Sequence, residues 1–168
     1  MLRLVEQAVA KDDPDPKAVA CYGLLLRADP ADEHAADQMW LRFVDGRPVS
    51  AVTVAYLDWC CRKLHAAGKD ALLLIWDNAP WHVSQQVRDW VRDHNHQVKQ
   101  LGRGVRIIAG YLPVKSPWLN AIEATWVHGQ RRVVEADGLL TSQELADRVS
   151  DAYGCPHEPH LAMPKKVA

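Results

Sequence analysis

The sequence predicts an α/β fold in which a mixed sheet carries helices on both faces. Strand-like segments come first, helical three- and four-residue periodicities then alternate with strands, and residues 71–76 are apolar throughout. Such an unbroken apolar run is typical of a central strand. A meander followed by alternating helices and strands gives the predicted order β-β-β-α-β-α-β-α-α.

The first part of the chain is predicted to form an antiparallel meander. Strand-like patterns cover residues 2–6, 19–27 and 38–44. Residues 11–16 combine proline and aspartate, which favour a loop. Asp45-Gly46 is a strong turn signal after the third strand.

The middle of the chain alternates helices and strands. Apolar residues at helical spacing predict a first helix that begins near Pro48 and ends near Gly68. The strand over residues 71–76 follows, and a second amphipathic helix then ends at Gly102. Residues 105–109 predict a further short strand. The apolar positions of the first helix are Val49, Val52, Tyr56, Cys60 and Leu64, and the positions that mark the second are Val87, Val91, His94 and Val98.

Two helices are predicted in the last third of the chain. Ser116 is a suitable N-cap with Pro117 at the first helical position. Residues 141–144 match the capping-box pattern, which predicts the start of the final helix. Residues 1–155 are expected to form one domain, and residues 156–168 an irregular tail.

Composition places the chain among ordinary globular proteins. It has 168 residues, of which 48% are hydrophobic and 24% charged, with a net charge of −1. A positive electrostatic potential over the whole molecule is therefore excluded, and binding to nucleic acid must depend on local basic groups. No apolar run approaches the roughly 20 residues of a membrane span. A cytoplasmic location and four reduced cysteines are expected.

Asp77 is the strongest candidate for chemistry. It closes the apolar strand and is followed by a polar turn, and open α/β sheets place their ligand sites at the carboxyl ends of strands. A carboxylate there can bind Mg²⁺ or Mn²⁺. The alternative is an aspartate that only caps the turn, with Asn78 as a helper.

Glu123 is the second candidate. It follows Asn120 by three residues, so both are expected on one face of a helix beside Leu119, Ile122 and Trp126. Taken alone, Glu123 is better explained as an exposed glutamate in a first helical turn, where it favours the helix dipole.

These segments together resemble the transposases of the DDE superfamily, in particular the bacterial insertion-sequence branch related to mariner elements. The resemblance is carried by Asp77-Asn78-Ala79, His82, the segment 116–123 and Trp126, and it extends over about residues 4–155. It implies an RNase H-like fold for residues 1–155. It also implies that Asp77 is the second catalytic aspartate and Glu123 the final glutamate.

The reaction implied by this resemblance is DNA strand cleavage and strand transfer. Asp77 and Glu123 would bind Mg²⁺ or Mn²⁺, and two such ions activate water or a DNA 3′-hydroxyl for in-line attack on a phosphodiester. The expected partners are double-stranded DNA, as transposon ends and target, and a second copy of the chain in a homodimer.

The chain departs from the family pattern at one important point. The family uses three carboxylates, and none of Glu6, Asp12, Asp13, Asp15 and Asp45 matches the first catalytic aspartate. We therefore expect the first strand to be missing and an upstream-encoded N-terminal fragment to be a possible partner. The alternative is a catalytically inactive remnant, or a module that binds DNA or dimerises. A third and weaker hypothesis is another RNase H-like nuclease that cuts junctions or RNA–DNA hybrids.

Several other residues have two interpretations each. His82 either lines the metal site or starts a helix near solvent, and Asn78 and Asn120 either support the site or satisfy local turns. Lys115, Arg131 and Arg132, and likewise Lys99, Arg103 and Arg106, either contact DNA or form solvated surface. Trp118 and Trp126 either stack on bases or fill the core.

Overall fold

The computed structural model describes residues 19–29, 31, 33–133 and 140–163. The predicted strand at residues 2–6 and the loop at residues 11–16 lie outside the described residues. The elements, in chain order, are β1 (Val19–Leu26), β2 (Gln38–Asp45), α1 (Ser50–Ala66), β3 (Ala71–Trp76), α2 (Gln85–Leu101), β4 (Arg106–Tyr111), a short 3₁₀ turn (Pro117–Leu119), α3 (Ala121–Gln130) and α4 (Ser142–Tyr153).

The described residues fall into two compact units. The first unit contains the described residues among 19–47 and 121–163, and the second contains residues 48–120. Each unit holds one two-stranded sheet, antiparallel in the first and parallel in the second. The predicted α/β class is confirmed, and a single mixed sheet with helices on both faces stays a prediction.

The first unit is built on the antiparallel pair β1–β2, in which Val19 is opposite Asp45 and Leu26 is opposite Gln38. Helix α3 packs against β1, and α4 packs against β2. Gly23 in β1 permits this packing, because a Cβ there would overlap the ring of Trp126. The buried core of the unit is Val19, Leu41, Phe43, Trp126, Ala146, Val149 and Cys155.

The second unit is built on the parallel pair β3–β4, in which Ala71 is opposite Arg106 and Trp76 is opposite Tyr111. Helix α2 contacts both α1 and β4. The sheet buries alternate residues: Leu72, Leu74, Trp76 and Ile107 are all less than 8% exposed. The residues between them project to the other face and are exposed: Leu73, Ile75 and Ile108. Although its sequence is apolar throughout, β3 is thus buried on one face, and among the described residues it pairs only with β4.

Side chains of α2 satisfy backbone groups of the second strand of this pair. The Asn95 amide accepts from Ile107 N and donates to Ile107 O, both at 2.8 Å, as a neighbouring strand would. His94 Nε2 lies 2.8 Å from Val105 O. Because unpaired strand edges invite association with other chains, these contacts protect β4.

Most helix ends follow the predicted signals. Gly102 ends α2 in the left-handed conformation, with φ +63°, as predicted, whereas the N-cap Ser84 was not among the predicted signals. Thr141 and Glu144 form the predicted capping box of α4. Gly68 follows the end of α1, also left-handed at φ +72°. Pro48, however, precedes the N-cap Val49 and lies outside the first turn of α1.

No helix among the described residues is long and apolar enough to cross a membrane. All four cysteines are free thiols.

Candidate active site

Asp77 lies at the carboxyl end of β3, as predicted. The strand ends at Trp76, and residues 78–84 form the turn that leads into α2. The Asp77 side chain is 49% exposed, which leaves it accessible to a ligand.

One oxygen of Asp77 is held by two hydrogen bonds. Oδ1 lies 2.6 Å from His82 Nδ1 and accepts from Ala79 N at 3.0 Å. An ionised carboxylate can only accept, so this contact assigns the proton to His82 Nδ1. The hydrogen bond from His82 lowers the pKa of Asp77, and the one from Ala79 adds to this, against the raising effect of partial burial. Asp77 is therefore a carboxylate over a wide pH range.

The His82 ring is held in place by aromatic packing. It stacks on Trp76 with a centroid distance of 5.0 Å and an interplanar angle of 14°. Trp81 meets the same ring edge-on at 5.9 Å, and Tyr111 stacks on Trp76 at 5.7 Å. The His82 side chain is 22% exposed and lies before α2, which begins at Gln85.

Asn78 connects the two strand ends. Its Nδ2 donates to Leu112 O at 2.6 Å, just beyond β4. Leu112 N donates to Trp76 O at 2.9 Å and continues the parallel ladder. The turn that carries Asp77 is therefore fixed to the neighbouring strand.

Glu123 lies in the first turn of α3, in the other unit. The predicted helix start at Ser116 is wrong, because Pro117–Leu119 form a separate 3₁₀ turn without a side-chain cap. Asn120 follows in an extended conformation (φ −89°, ψ 103°) and accordingly does not share a helical face with Glu123. Leu119 also lies outside α3 and is 53% exposed.

The remaining predicted residues lie in several places. Lys115 is exposed in the turn after β4. Its φ of +60° is a left-handed conformation that is unfavourable for residues other than glycine. Arg131 and Arg132 are exposed just after α3. Trp126 is a core residue, whereas Trp118 is 76% exposed.

Cys155, His157 and His160 are residue types that can bind zinc, but here each contacts another group of the protein. Cys155 Sγ donates to Met39 O at 3.1 Å, and His160 Nδ1 lies 2.7 Å from Asp45 Oδ1. His157 Nε2 lies 2.8 Å from Asp151 Oδ1, which raises the pKa of His157.

The aromatic support of Asp77 does not follow from the sequence pattern. The stacking of Trp76 on His82 and Tyr111 depends on the strand register and on the path of the turn. The available signal is the aromatic spacing itself, since Trp76, Trp81 and His82 flank Asp77 closely.

The chemistry of Asp77 fits a hard divalent cation. Among the described residues, no hydrogen-bond donor engages Oδ2, so that oxygen can take a ligand while Oδ1 is held. Oxygen donors of this type are those that Mg²⁺ and Mn²⁺ prefer. Within the described part of the chain, no three His, Cys, Asp or Glu side chains are grouped closely enough to hold a metal ion.

Comparison with known proteins identifies the family. A family model described as DDE superfamily endonuclease matches residues 34–145, more than half of the chain. The chain belongs to the DDE superfamily of endonucleases. This DDE domain includes Asp77, His82 and Glu123, and membership indicates a transposase-like nuclease that acts on DNA. No curated protein and no solved structure matches this DDE endonuclease chain.

Proposed function

We propose that this chain is the catalytic domain of an insertion-sequence transposase, with an RNase H-like fold over residues 1–155, that cleaves DNA strands and transfers them to a target with Mg²⁺ or Mn²⁺. The observation that carries the proposal is the Asp77 turn. A half-exposed carboxylate with a lowered pKa, one held oxygen and one open oxygen lies at the carboxyl end of a strand in a DDE domain.

Asp77 and Glu123 are the residues that would hold the metal. When bound, divalent ions stabilise charge on the attacking and leaving oxygens of the phosphodiester. Asp77 contributes a carboxylate that stays ionised because His82 donates to it. Glu123 contributes a second carboxylate from a first helical turn, where it has no hydrogen-bond or ion-pair partner among the described residues.

The supporting residues act through these two. His82 orients Asp77, and Asn78 fixes the turn through Leu112 O. Asn120, which directly precedes α3, is proposed to support the site. Lys115, Arg131 and Arg132 are proposed to contact phosphates of the DNA. The substrates would be the transposon ends and a target duplex, handled by a homodimer.

A DNA cleavage assay tests the proposal. Supercoiled plasmid carrying the ends of the parent element is incubated with the full chain and either Mg²⁺ or Mn²⁺. Metal ligands supply several kcal/mol of transition-state stabilisation, so Asp77→Asn should lower the rate on the order of 100- to 1,000-fold, and Glu123→Gln likewise.

Two variants serve as matched controls. Asp93→Asn removes an exposed carboxylate from α2, and Glu33→Gln removes one from the loop between β1 and β2. Both should cleave at the wild-type rate. Cleavage that persists in Asp77→Asn would remove that residue from the site. Broadening of NMR signals by Mn²⁺, abolished in Asp77→Asn, reports binding independently of activity.

An inactive remnant, or a module that only binds DNA or dimerises, is the second candidate function. It is favoured because only two carboxylates of this chain, Asp77 and Glu123, match the three catalytic carboxylates of the family. Adding a separately expressed fragment encoded by the upstream reading frame distinguishes the two functions. Cleavage only in its presence supports a two-part enzyme, whereas DNA binding without cleavage under either condition supports the second candidate.

A further inference from the structure

A basic cavity of about 500 Å³ lies in the second unit, at the amino ends of β3 and β4. Four segments contribute to it: the end of α1, the start of β3, the end of α2 and the start of β4. Its charged and titratable lining consists of His65, Lys69, Asp70, Lys99, Arg103 and Arg106.

The cations of this cavity outnumber its carboxylates. Lys69, Lys99, Arg103 and Arg106 are all exposed, and none of them forms an ion pair with a carboxylate in the described part of the chain. Asp70 is the single carboxylate among the described residues of the lining. Four cationic side chains against one carboxylate create a local positive potential around the opening, on a chain whose net charge is −1.

The rim of the cavity is held by the backbone. Lys69 N donates to Leu64 O at 2.9 Å, which closes the end of α1, and Arg106 N donates to Asp70 O at 2.8 Å, which joins the two strand starts. Arg103 lies between Gly102 and Gly104, both with positive φ. A Cβ at Gly104 would also lie 3.0 Å from Val98 Cγ2. The cationic side chains therefore project from a defined loop and defined strand ends.

The lining favours a phosphodiester backbone over a free nucleotide. None of its described residues is Phe, Tyr or Trp, on whose rings a base could stack, and Val98 is its one large apolar side chain. The positive charges lie on long, flexible lysine and arginine side chains around an open cavity. Such side chains can contact successive phosphates of a nucleic-acid backbone, whereas a single small anion would need an enclosed site.

The cavity and Asp77 lie at opposite ends of the same parallel pair. Arg106 begins β4 opposite Ala71, whereas Asp77 follows Trp76 at the other end. DNA contacted at the amino ends is therefore a segment distinct from the one whose phosphodiester meets Asp77.

We propose that the Lys69–Lys99–Arg103–Arg106 cavity is a second DNA-binding site, which holds the phosphate backbone of a duplex segment remote from the reacting phosphodiester. This inference rests on the proposed function only in taking duplex DNA as the nucleic acid. The protein groups meet phosphates, so binding is independent of base sequence and sensitive to salt.

Fluorescence anisotropy of a labelled short duplex, titrated with the full chain over a salt series, tests the inference. EDTA is present, so catalysis plays no part. The double variant Lys99→Gln/Arg103→Gln should bind on the order of tenfold more weakly on every sequence tested. The slope of log affinity against log salt should become shallower by about 0.9 for each phosphate that the variant no longer neutralises. Lys69→Gln/Arg106→Gln should behave in the same way.

The matched control is Arg88→Gln/Arg92→Gln. It removes two positive charges from the same helix α2, but Arg92 is already paired with Asp89 at 2.7 Å and with Asp93 at 3.1 Å. This control should keep wild-type affinity and salt slope. Equal weakening by the control and by Lys99→Gln/Arg103→Gln would mean that net charge alone is measured, and would overturn the inference. Unchanged binding by Lys99→Gln/Arg103→Gln would do the same.

Two further arms separate the outcomes. If the cavity variants weaken binding of single-stranded RNA more than binding of duplex DNA, the assignment of the ligand is overturned. If the chain cleaves no DNA but the cavity variants still bind more weakly, the second site stands and only the proposed catalytic function fails.

Discussion

The two ends of the β3–β4 pair differ in charge and in the way they are built. At the carboxyl end, one carboxylate is oriented by His82, and His82 is held by the rings of Trp76 and Trp81. At the amino end, four exposed cations surround an open cavity, and backbone hydrogen bonds and glycines position the loops that carry them.

This difference fits the two proposed roles, a metal ligand at the carboxyl end and a phosphate-backbone contact at the amino end. A metal ligand must be held within a fraction of an ångström, which requires packed and hydrogen-bonded neighbours behind it. A phosphate-backbone contact acts through charge and tolerates motion of long side chains. Changes to the packed rings at the carboxyl end should therefore affect stability and the ionisation of Asp77, changes to the cationic side chains at the amino end should affect salt-dependent binding, and changes to the amino-end glycines should affect stability.

Trp76→Ala should have the largest effect on stability. Trp76 is 7% exposed and supports both His82 and Tyr111, so its removal should lower the free energy of unfolding by about 3–5 kcal/mol. Chemical denaturation measures this. Trp76→Phe is the control: it keeps a stacking ring and removes Nε1, a buried donor without a partner among the described residues, so it should cost far less. Equal losses in the two variants would show that ring packing is not the cause.

Gly104→Ala should have an intermediate effect at the amino end. The backbone at φ +109° is unfavourable for alanine, and the new Cβ would press on Val98, so we expect a loss of about 1–3 kcal/mol. Gly102→Ala, at φ +63° with no atom near the new Cβ, should lose less. Thermal unfolding of the two variants tests this order, and the reverse order would contradict the described loop geometry.

His82→Phe should have the smallest effect on stability but a specific effect on ionisation. Phenylalanine keeps the stack on Trp76 and removes the hydrogen bond, so the pKa of Asp77 should rise. The wild-type bond stabilises the fold above the ordinary aspartate pKa, and this stabilisation is lost as the pH falls through the lowered folded value. Carboxyl ¹³C NMR titration, assigned with Asp77→Asn, measures the shift. An unchanged or lower pKa would contradict the role of His82.

Local signals in the sequence are sufficient for most elements of the fold. The period-2 and period-3.6 patterns, the glycines after α1 and α2, and the Thr141 capping box act within a few residues. The start of α3 is an exception, because Ser116 and Pro117 suit a 3₁₀ turn as well as an α-helix. The resulting break at Asn120 is not encoded in the pattern of apolar residues.

The residues of the candidate site could be proposed one by one from the sequence, but their arrangement could not. Asp77 is evident from its position after an apolar strand. Its contact with His82 depends on the path of the turn, which only the packed rings fix. The cationic cavity joins Lys69 to Lys99, Arg103 and Arg106 from separate segments. The parallel pairing of β3 and β4 brings these segments to one edge.

The sequence by itself determined the α/β class, the strand that ends at Asp77 and the resemblance to DDE transposases, because each depends on local residue patterns and on their order along the chain. Tertiary structure decided which oxygen of Asp77 is held, that Trp126 fills the core against Gly23, and that four cations surround one cavity. Those features depend on interactions between distant residues, which arise only when the strands pair and the helices pack.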